Sequence, residues 1–157
     1  MGEATARRYA KSGANDIVAD TNISGGEKTA EIIRMEGGTS EFVQTDVTSE
    51  SDVINLMNTV KGRFAKLDVL VTCAGILLSP NTRVDQFGVV DWDRVIDVNL
   101  KGTFLFVKYA VSLMEQHSGV LILMIASGAG VLGGSSSVAY AASKGGIWFR
   151  TYVGRTA

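Results

Sequence analysis

The stretch VLILMIASGAGVLGGSSSVAYAASK, residues 120–144, decides the fold. It opens with residues 120–125, the most apolar run in the chain, and a short run of this kind is typical of a buried strand. A loop of glycines and serines occupies residues 127–137, and the segment from Val138 onward predicts a helix. This order of strand, loop and helix is typical of a βα unit.

The same alternation runs through the rest of the chain. Short apolar runs predict strands, and longer segments with apolar residues three and four positions apart predict helices. Parallel strands joined by helices form a doubly wound α/β sheet of the Rossmann type, which we expect to be a single domain over residues 1–157. The predicted strands are 16–20, a weaker one centred on Phe42 and Val43, 67–73 and 120–125; the predicted helices are an opening helix that Gly13 ends, 25–36, one capped by Ser49, one uninterrupted helix over 91–117, and one from Val138.

Composition excludes several classes of protein. The chain has 157 residues, of which 46% are hydrophobic and 20% charged, as in an ordinary globular domain. A net charge of −1 with scattered Lys and Arg argues against nucleic-acid binding. The single histidine, His117, excludes a site of several histidines for a metal, and the longest apolar run is too short to span a bilayer. Cys73 is the only cysteine, so we expect a small buried side chain in a reducing, cytoplasmic compartment rather than a disulfide or a nucleophile.

Residues with chemical potential stand at the ends of the predicted strands. Asp20, Asp46 and Ser127 each fall at or just past such an end, and so does the segment 72–75. Doubly wound sheets bind their ligands outside the carboxyl ends of the strands. We therefore expect the functional site at this edge.

Three motifs follow one another in the second half of the chain. VNLKGTF contains Asn99, IASGAG contains Ser127, and YAASK contains Tyr140 and Lys144. A Tyr-x-x-x-Lys match is weak by itself, but the three motifs in this order, separated by an apolar strand and a helix start, are specific. In this combination the sequence resembles the short-chain dehydrogenase/reductase family. The resemblance implies an NAD(P)-dependent oxidoreductase that interconverts an alcohol and a ketone or aldehyde by hydride transfer.

The four polar residues of these motifs suit that chemistry. Tyr140 and Lys144 are one helical turn apart, and an ammonium near a phenol favours the phenolate that a general acid/base needs. Ser127 could donate a hydrogen bond to the reacting carbonyl oxygen. By resemblance, Lys144 also holds the nicotinamide ribose and Asn99 anchors a water in a proton path. The alternatives are a packing tyrosine, a solvated lysine, a turn serine and a satisfied mid-helix asparagine.

A partial set of cofactor contacts lies in the first half of the chain. A carboxylate at Asp20 can accept both ribose hydroxyls of an adenosine and would repel a 2′-phosphate, so NAD is favoured over NADP; the alternative is that Asp20 merely caps a turn. By resemblance, Asp46 and Val47 contact the adenine. Ala74 and Gly75 allow close approach of the cofactor, although the preceding Thr and Cys stand where the family usually has two asparagines.

Both ends of the chain differ from the family pattern. Gly2 matches the last glycine of the family's glycine-rich phosphate-binding turn, so MGEATARRYA reads as its continuation. The first central strand, the other glycines of the turn and the C-terminal strands and lid are absent from this sequence. We expect poor cofactor binding and an exposed apolar pair, Trp148 and Phe149.

These features leave two hypotheses. The first is a fragment of an NAD-dependent enzyme with little activity alone, acting on a small alcohol or carbonyl substrate that the flexible loop SGAGVLGGSSSV does not identify. The second is a noncatalytic truncated homologue that acts as an interaction partner. In either case the resemblance implies a homo-oligomer that forms through the helices starting near Asp91 and Val138.

Overall fold

A computed structural model of the chain describes residues 1–115, 118–132 and 136–148. The contacts divide the chain into two compact units, Met1–Ala65 and Lys66–Ala157. The expectation of a single domain over residues 1–157 stays a prediction. His117 and Phe149 lie outside the described residues.

The first unit alternates helices with a parallel strand pair. Strands β1 (Asn15–Asp20) and β2 (Thr39–Gln44) run side by side in a register that places Asn15 opposite Thr39 and Asp20 opposite Gln44. The elements are α1 (Gly2–Lys11), β1 (Asn15–Asp20), α2 (Ile23–Met35), β2 (Thr39–Gln44) and α3 (Glu50–Phe64).

Local signals explain where these helices begin and end. Gly13 follows α1 with a φ of 89°, a conformation that glycine adopts without a steric penalty. The Asn22 side chain accepts from the Gly25 N–H, and this cap starts α2 two residues before the predicted Gly25. The Ser49 side chain accepts from the Asp52 N–H at 3.3 Å, as the sequence predicted for α3.

The first unit closes around small and aliphatic side chains. Helix α2 approaches β2 so closely at Gly26 that an added Cβ would lie 2.1 Å from the Phe42 ring. An ion pair between Arg7 and Glu36 joins α1 to the residue after α2. The buried apolar residues are Ala10, Ala30, Ile33, Val53, Leu56, Met57 and Val60.

The second unit contains another parallel strand pair and a long helical run. Strands β3 (Val69–Thr72) and β4 (Leu121–Met124) pair with Val69 opposite Leu121 and Thr72 opposite Met124. Both strands are shorter than predicted, and Cys73 lies just beyond β3. The helices are α4 (Val89–Ile96), α5 (Gly102–Met114) and α6 (Val138–Trp148), with single 3₁₀ turns at Val84–Gln86 and Gly128–Gly130.

The predicted uninterrupted helix over 91–117 is wrong in its detail. The helical run begins at Val89, after the extended Gly88, and Asp97–Lys101 forms a π-helical segment between α4 and α5. Such segments are rare and often occur at functional sites. The segment accommodates Asn99, whose side chain is bonded to groups outside the helix.

The fold class is confirmed as α/β. Among the described residues, the four strands form two short parallel sheets, β1 with β2 and β3 with β4, and parallel pairing is typical of a Rossmann-type fold. None of the helices in the described part of the chain combines the length and the hydropathy that a membrane crossing requires.

Candidate active site

Helix α6 presents Tyr140 and Lys144 one turn apart, as predicted. The buried Ser137 precedes this helix, and its hydroxyl oxygen accepts from the Tyr140 N–H at 3.3 Å. The Lys144 Nζ lies 5.7 Å from the centroid of the Tyr140 ring, within the range of a cation–π contact. The phenol and the ammonium therefore lie on the same face of α6.

Lys144 is a buried residue and not a solvated surface charge. The residue is only 5% exposed, and its Nζ donates a hydrogen bond of 2.6 Å to the Ile125 carbonyl oxygen just after β4. Burial lowers the pKa of the Lys144 ammonium, and the nearby Cys73 acts in the opposite direction. The lysine is thus held at the end of a strand, in surroundings that reduce its affinity for a proton.

Asn99 connects three segments of the second unit. It is fully buried, its Oδ1 accepts from the Ile76 N–H at 2.8 Å, and its Nδ2 donates to the Ile76 carbonyl oxygen at 3.0 Å. The same Nδ2 also donates to the Ser143 Oγ at 3.0 Å. Protein groups therefore use both amide hydrogens and one lone pair of the side chain, and the backbone carbonyl oxygen of Asn99 accepts from the Thr103 hydroxyl at 2.7 Å. A water held by Asn99 in a proton path stays a prediction.

Sequence reasoning missed Ser143 and Ile76 as partners of Asn99. Ser143 is the residue before Lys144 in YAASK, and its hydroxyl also donates to the Tyr140 carbonyl oxygen at 2.8 Å. The position of Ser143 in the motif was the only sequence signal for this role. No sequence pattern marked Ile76, because it contributes only its backbone.

Ser127 lies in the short segment that joins β4 to the 3₁₀ turn. Its backbone is extended, and its Oγ accepts from the Ala129 N–H at 3.2 Å. That bond uses a lone pair of the hydroxyl oxygen, so the hydroxyl hydrogen can still be donated to another group. Ser127 is therefore a turn residue, and this role is compatible with the predicted donor role.

The segment after β3 lies next to the lysine and the asparagine. A Cβ added at Gly75 would lie 3.4 Å from the Asn99 Oδ1 and 3.6 Å from the Lys144 Nζ. Ala74 and Gly75 are both exposed. Cys73 is half-buried and not buried as expected, because β3 ends at Thr72 and leaves the cysteine outside the sheet. A side chain at position 75 would thus be in ordinary van der Waals contact with both polar side chains, and the glycine leaves that volume unfilled.

The other predicted cofactor residues belong to the first unit. Gly2 is the first residue of α1, and the exposed Asp20 ends β1. An oxygen of Asp20 accepts from the Asn22 N–H at 2.9 Å, so this carboxylate does cap a turn. Asp46 similarly accepts from the N–H and hydroxyl of Thr48, each at 2.8 Å.

Both carboxylates have a second oxygen beyond these turn contacts. Val47, beside Asp46, is half-buried. Cofactor binding by these residues stays a prediction. Within the described residues, no group of three or more histidine, cysteine, aspartate or glutamate side chains could hold a metal ion.

Comparison with known proteins gives a consistent result. The family model for short chain dehydrogenases matches residues 1–151. The chain is 39% identical over 158 residues to the 3-hydroxyacyl-CoA dehydrogenase type-2 of Homo sapiens, covering 94% of this chain and 59% of the relative. It is 35% identical over 147 residues to the cis-4-hydroxycyclohexanecarboxylate dehydrogenase of Sinomonas cyclohexanicum, covering 94% of this chain and 58% of the relative.

Solved structures agree with these relatives. A Burkholderia xenovorans structure assigned to the short-chain dehydrogenases/reductases superposes with a TM-score of 0.86 at 29% identity, covering 93% of this chain and 62% of that chain. The chain therefore spans less than two thirds of the length of these proteins. The match of the family model over nearly the whole chain shows that it belongs to the short-chain dehydrogenase/reductase family.

Proposed function

We propose that the protein is an NAD-dependent oxidoreductase that interconverts a secondary alcohol and a ketone at Ser127, Tyr140 and Lys144. The observation that carries this proposal is the arrangement on α6, where the Lys144 ammonium lies 5.7 Å from the Tyr140 ring. The relatives from Homo sapiens and Sinomonas cyclohexanicum are named for hydroxyl-bearing substrates, a hydroxyacyl-CoA and a hydroxycyclohexanecarboxylate, and this supports the substrate class.

The residues present fit a nicotinamide cofactor in part. Gly75 leaves space beside the Lys144 Nζ, and the exposed Asp20 carboxylate stands at the carboxyl end of β1. We assign the adenosine ribose to Asp20, the adenine to Asp46 and Val47, and the nicotinamide ribose to Lys144. A carboxylate at Asp20 favours NAD over NADP because it repels a 2′-phosphate. The bound cofactor supplies or accepts the hydride.

Residues of α6 and of the segment after β4 carry out the proton transfer. In the direction of reduction, the Ser127 hydroxyl donates a hydrogen bond to the carbonyl oxygen as negative charge develops there. Tyr140 then gives its phenolic proton to that oxygen, and the Lys144 ammonium stabilises the phenolate that remains. Asn99 holds the segment after β3 against α6, so that Lys144 keeps its position during the transfer.

The test compares two tyrosine variants in the protein at its full natural length. Tyr140→Phe removes the proton donor and should lower kcat for NAD-dependent oxidation of secondary alcohols by about a hundredfold or more. Tyr9→Phe on α1 removes a phenolic oxygen elsewhere and should leave kcat unchanged. Equal activity of Tyr140→Phe and wild-type protein would rule out the mechanism.

We also propose that the protein forms a homo-oligomer through the run that starts at α4 and through α6. Two large apolar side chains on these helices support the proposal: Phe104 on α5 is 58% exposed and Trp148 on α6 is 61% exposed. Large apolar patches are rare on the surfaces of monomeric proteins and often mark interfaces. The same surfaces would serve the alternative function, a noncatalytic partner of other chains of the family.

The oligomer is tested by light scattering after size-exclusion chromatography. The wild-type protein should have at least twice the mass of one chain, and Phe104→Ser together with Trp148→Ser should shift it toward the monomer. A folded monomer in the wild-type protein would contradict the proposal.

We place the protein in the cytoplasm because its single cysteine suits a reducing compartment.

A further inference from the structure

Gly130 brings the turn after Ser127 into direct contact with the backbone of α6. A Cβ added at this position would lie 2.4 Å from the Gly145 N, 2.5 Å from the Lys144 carbonyl carbon and 2.8 Å from its oxygen. These atoms belong to the interior of α6 and cannot move aside without disturbing the helix. Glycine is therefore required at position 130 by the close approach of two backbones.

The contact is specific within the turn and reciprocal across it. A Cβ added at Gly128, two residues earlier in the same 3₁₀ turn, would meet nothing within 4 Å. From the other side, a Cβ added at Gly145 would lie 3.2 Å from the Gly130 carbonyl oxygen. The two glycines face each other, one in the turn and one in the helix.

Each glycine is rigidly connected to a residue of the proposed reaction. The Gly130 N–H donates to the Ser127 carbonyl oxygen at 3.0 Å, and the Ser127 Oγ accepts a hydrogen bond from the N–H of Ala129, which lies between them. Gly145 directly follows Lys144, whose Nζ is fixed on the Ile125 carbonyl oxygen. A change in the distance between the two glycines therefore moves the serine hydroxyl relative to the face of α6.

We infer that Gly130 is a positioning residue, which sets the distance of the Ser127 hydroxyl from the Tyr140 and Lys144 face by allowing the turn to touch α6. The inference rests on the proposed function, because it assigns Gly130 a role through Ser127. A methyl group at position 130 has to retreat by roughly 1 Å to reach ordinary contact distance, and a displacement of that size at a reacting group can cost about a hundredfold in rate.

The experiment compares Gly130→Ala with Gly128→Ala in the protein at its full natural length. Gly130→Ala should lower kcat between about tenfold and a hundredfold without a matching change in the KM for the cofactor, whereas Gly128→Ala should behave as wild type. Gly145→Ala, a milder perturbation at 3.2 Å, should give a smaller loss in the same direction and serves if Gly130→Ala does not fold.

A double-mutant comparison separates positioning from a general loss of structure. If Gly130 acts through the serine, Ser127→Ala should lower kcat much less in the Gly130→Ala background than in the wild-type protein. An equal effect of Ser127→Ala in both backgrounds would overturn the inference. If Ser127→Ala alone leaves kcat unchanged, the proposed function of the serine fails, and that outcome is distinct from a failure of the positioning role.

Amide chemical shifts give a readout that needs no activity. In Gly130→Ala, the ¹H–¹⁵N resonances of both Ser127 and Gly145 should move, and in Gly128→Ala the Gly145 resonance should stay in place. Shifts confined to the turn itself in Gly130→Ala would contradict the inference.

Discussion

Replacing Asp16 with asparagine should stabilise the protein at neutral pH and have almost no effect near pH 4. Asp16 is the second residue of β1, and its Oδ2 is buried without a hydrogen-bond partner among the described residues. The register places it opposite Ser40 of β2, whose buried Oγ is likewise unpartnered in the described part of the chain. A charged carboxylate in this position loses hydration, and its Oδ2 atom has no hydrogen bond to offset the loss.

The size of the effect follows from the pKa. Burial raises the pKa of the Asp16 carboxyl from 3.8 to about 6, although the backbone of Ala10 opposes the rise. Each tenfold change in proton affinity is worth about 1.4 kcal/mol, so ionised Asp16 costs the folded state at most about 3 kcal/mol. The half-buried side chain makes this an upper value. The pKa of Asp16 is higher in the folded state than in the unfolded state. The carboxyl therefore does not destabilise the fold well below pH 3.8, where it is protonated in both states, and the destabilisation develops as the pH rises from 3.8 through 6.

The assay is urea denaturation followed by far-UV circular dichroism at several pH values between 4 and 7.5. Tryptophan fluorescence is unsuitable, because both tryptophans, Trp92 and Trp148, lie in the second unit. The free energy of unfolding of Asp16→Asn should exceed that of wild type by up to about 3 kcal/mol at pH 7.5 and by only about 0.5 kcal/mol at pH 4. Glu31→Gln, at an exposed position on α2, should show no such divergence. A difference independent of pH, or a variant less stable at pH 7.5, would refute the reasoning.

Two further predictions concern the Asn99 hydrogen bonds and the cap of α3. Asn99→Ala should destabilise the protein by about 2 to 4 kcal/mol, because it leaves the Ile76 backbone groups unpaired. Thermal or urea denaturation measures this loss, and Asn58→Ala on the exposed side of α3 serves as the control. Ser49→Ala removes the cap of α3 and should cost about 1 kcal/mol in the same assay, whereas the exposed Ser118→Ala should cost nothing measurable.

The sequence predicted those elements whose signals are local. Ser49 with Asp52 marked the start of α3, and Val138 marked that of α6, because a cap or a change of period acts within a few residues. The order of the elements followed from the alternation of apolar runs, whereas the ends of β3 and β4 were predicted one residue too late. The pairing of Tyr140 with Lys144 was also predictable, since it depends only on helical spacing.

The features that the sequence did not predict depend on distant partners. The burial of Asp16 follows from the register with β2 and the packing of α1, neither of which a strand of six residues encodes by itself. The π-helical segment interrupts an apparently regular periodicity, and it contains Asn99, whose hydrogen-bond partners Ile76 and Ser143 lie far away in the sequence. The same holds for Gly130, which has no distinguishing signal in a glycine-rich loop until α6 is placed against it.

The polar side chains of the candidate site are held by backbone groups that follow paired strands. Asn99 binds the backbone of Ile76, four residues beyond β3, and Lys144 binds the carbonyl of Ile125, one residue beyond β4. The register that places Thr72 opposite Met124 fixes how these two backbone segments leave the sheet. Because both anchors are backbone atoms, side-chain substitutions at Ile76 and Ile125 should disturb the site less than a change in strand register would. The geometry of the proton-handling residues is therefore a property of the β3–β4 pair and α6, all within the second unit.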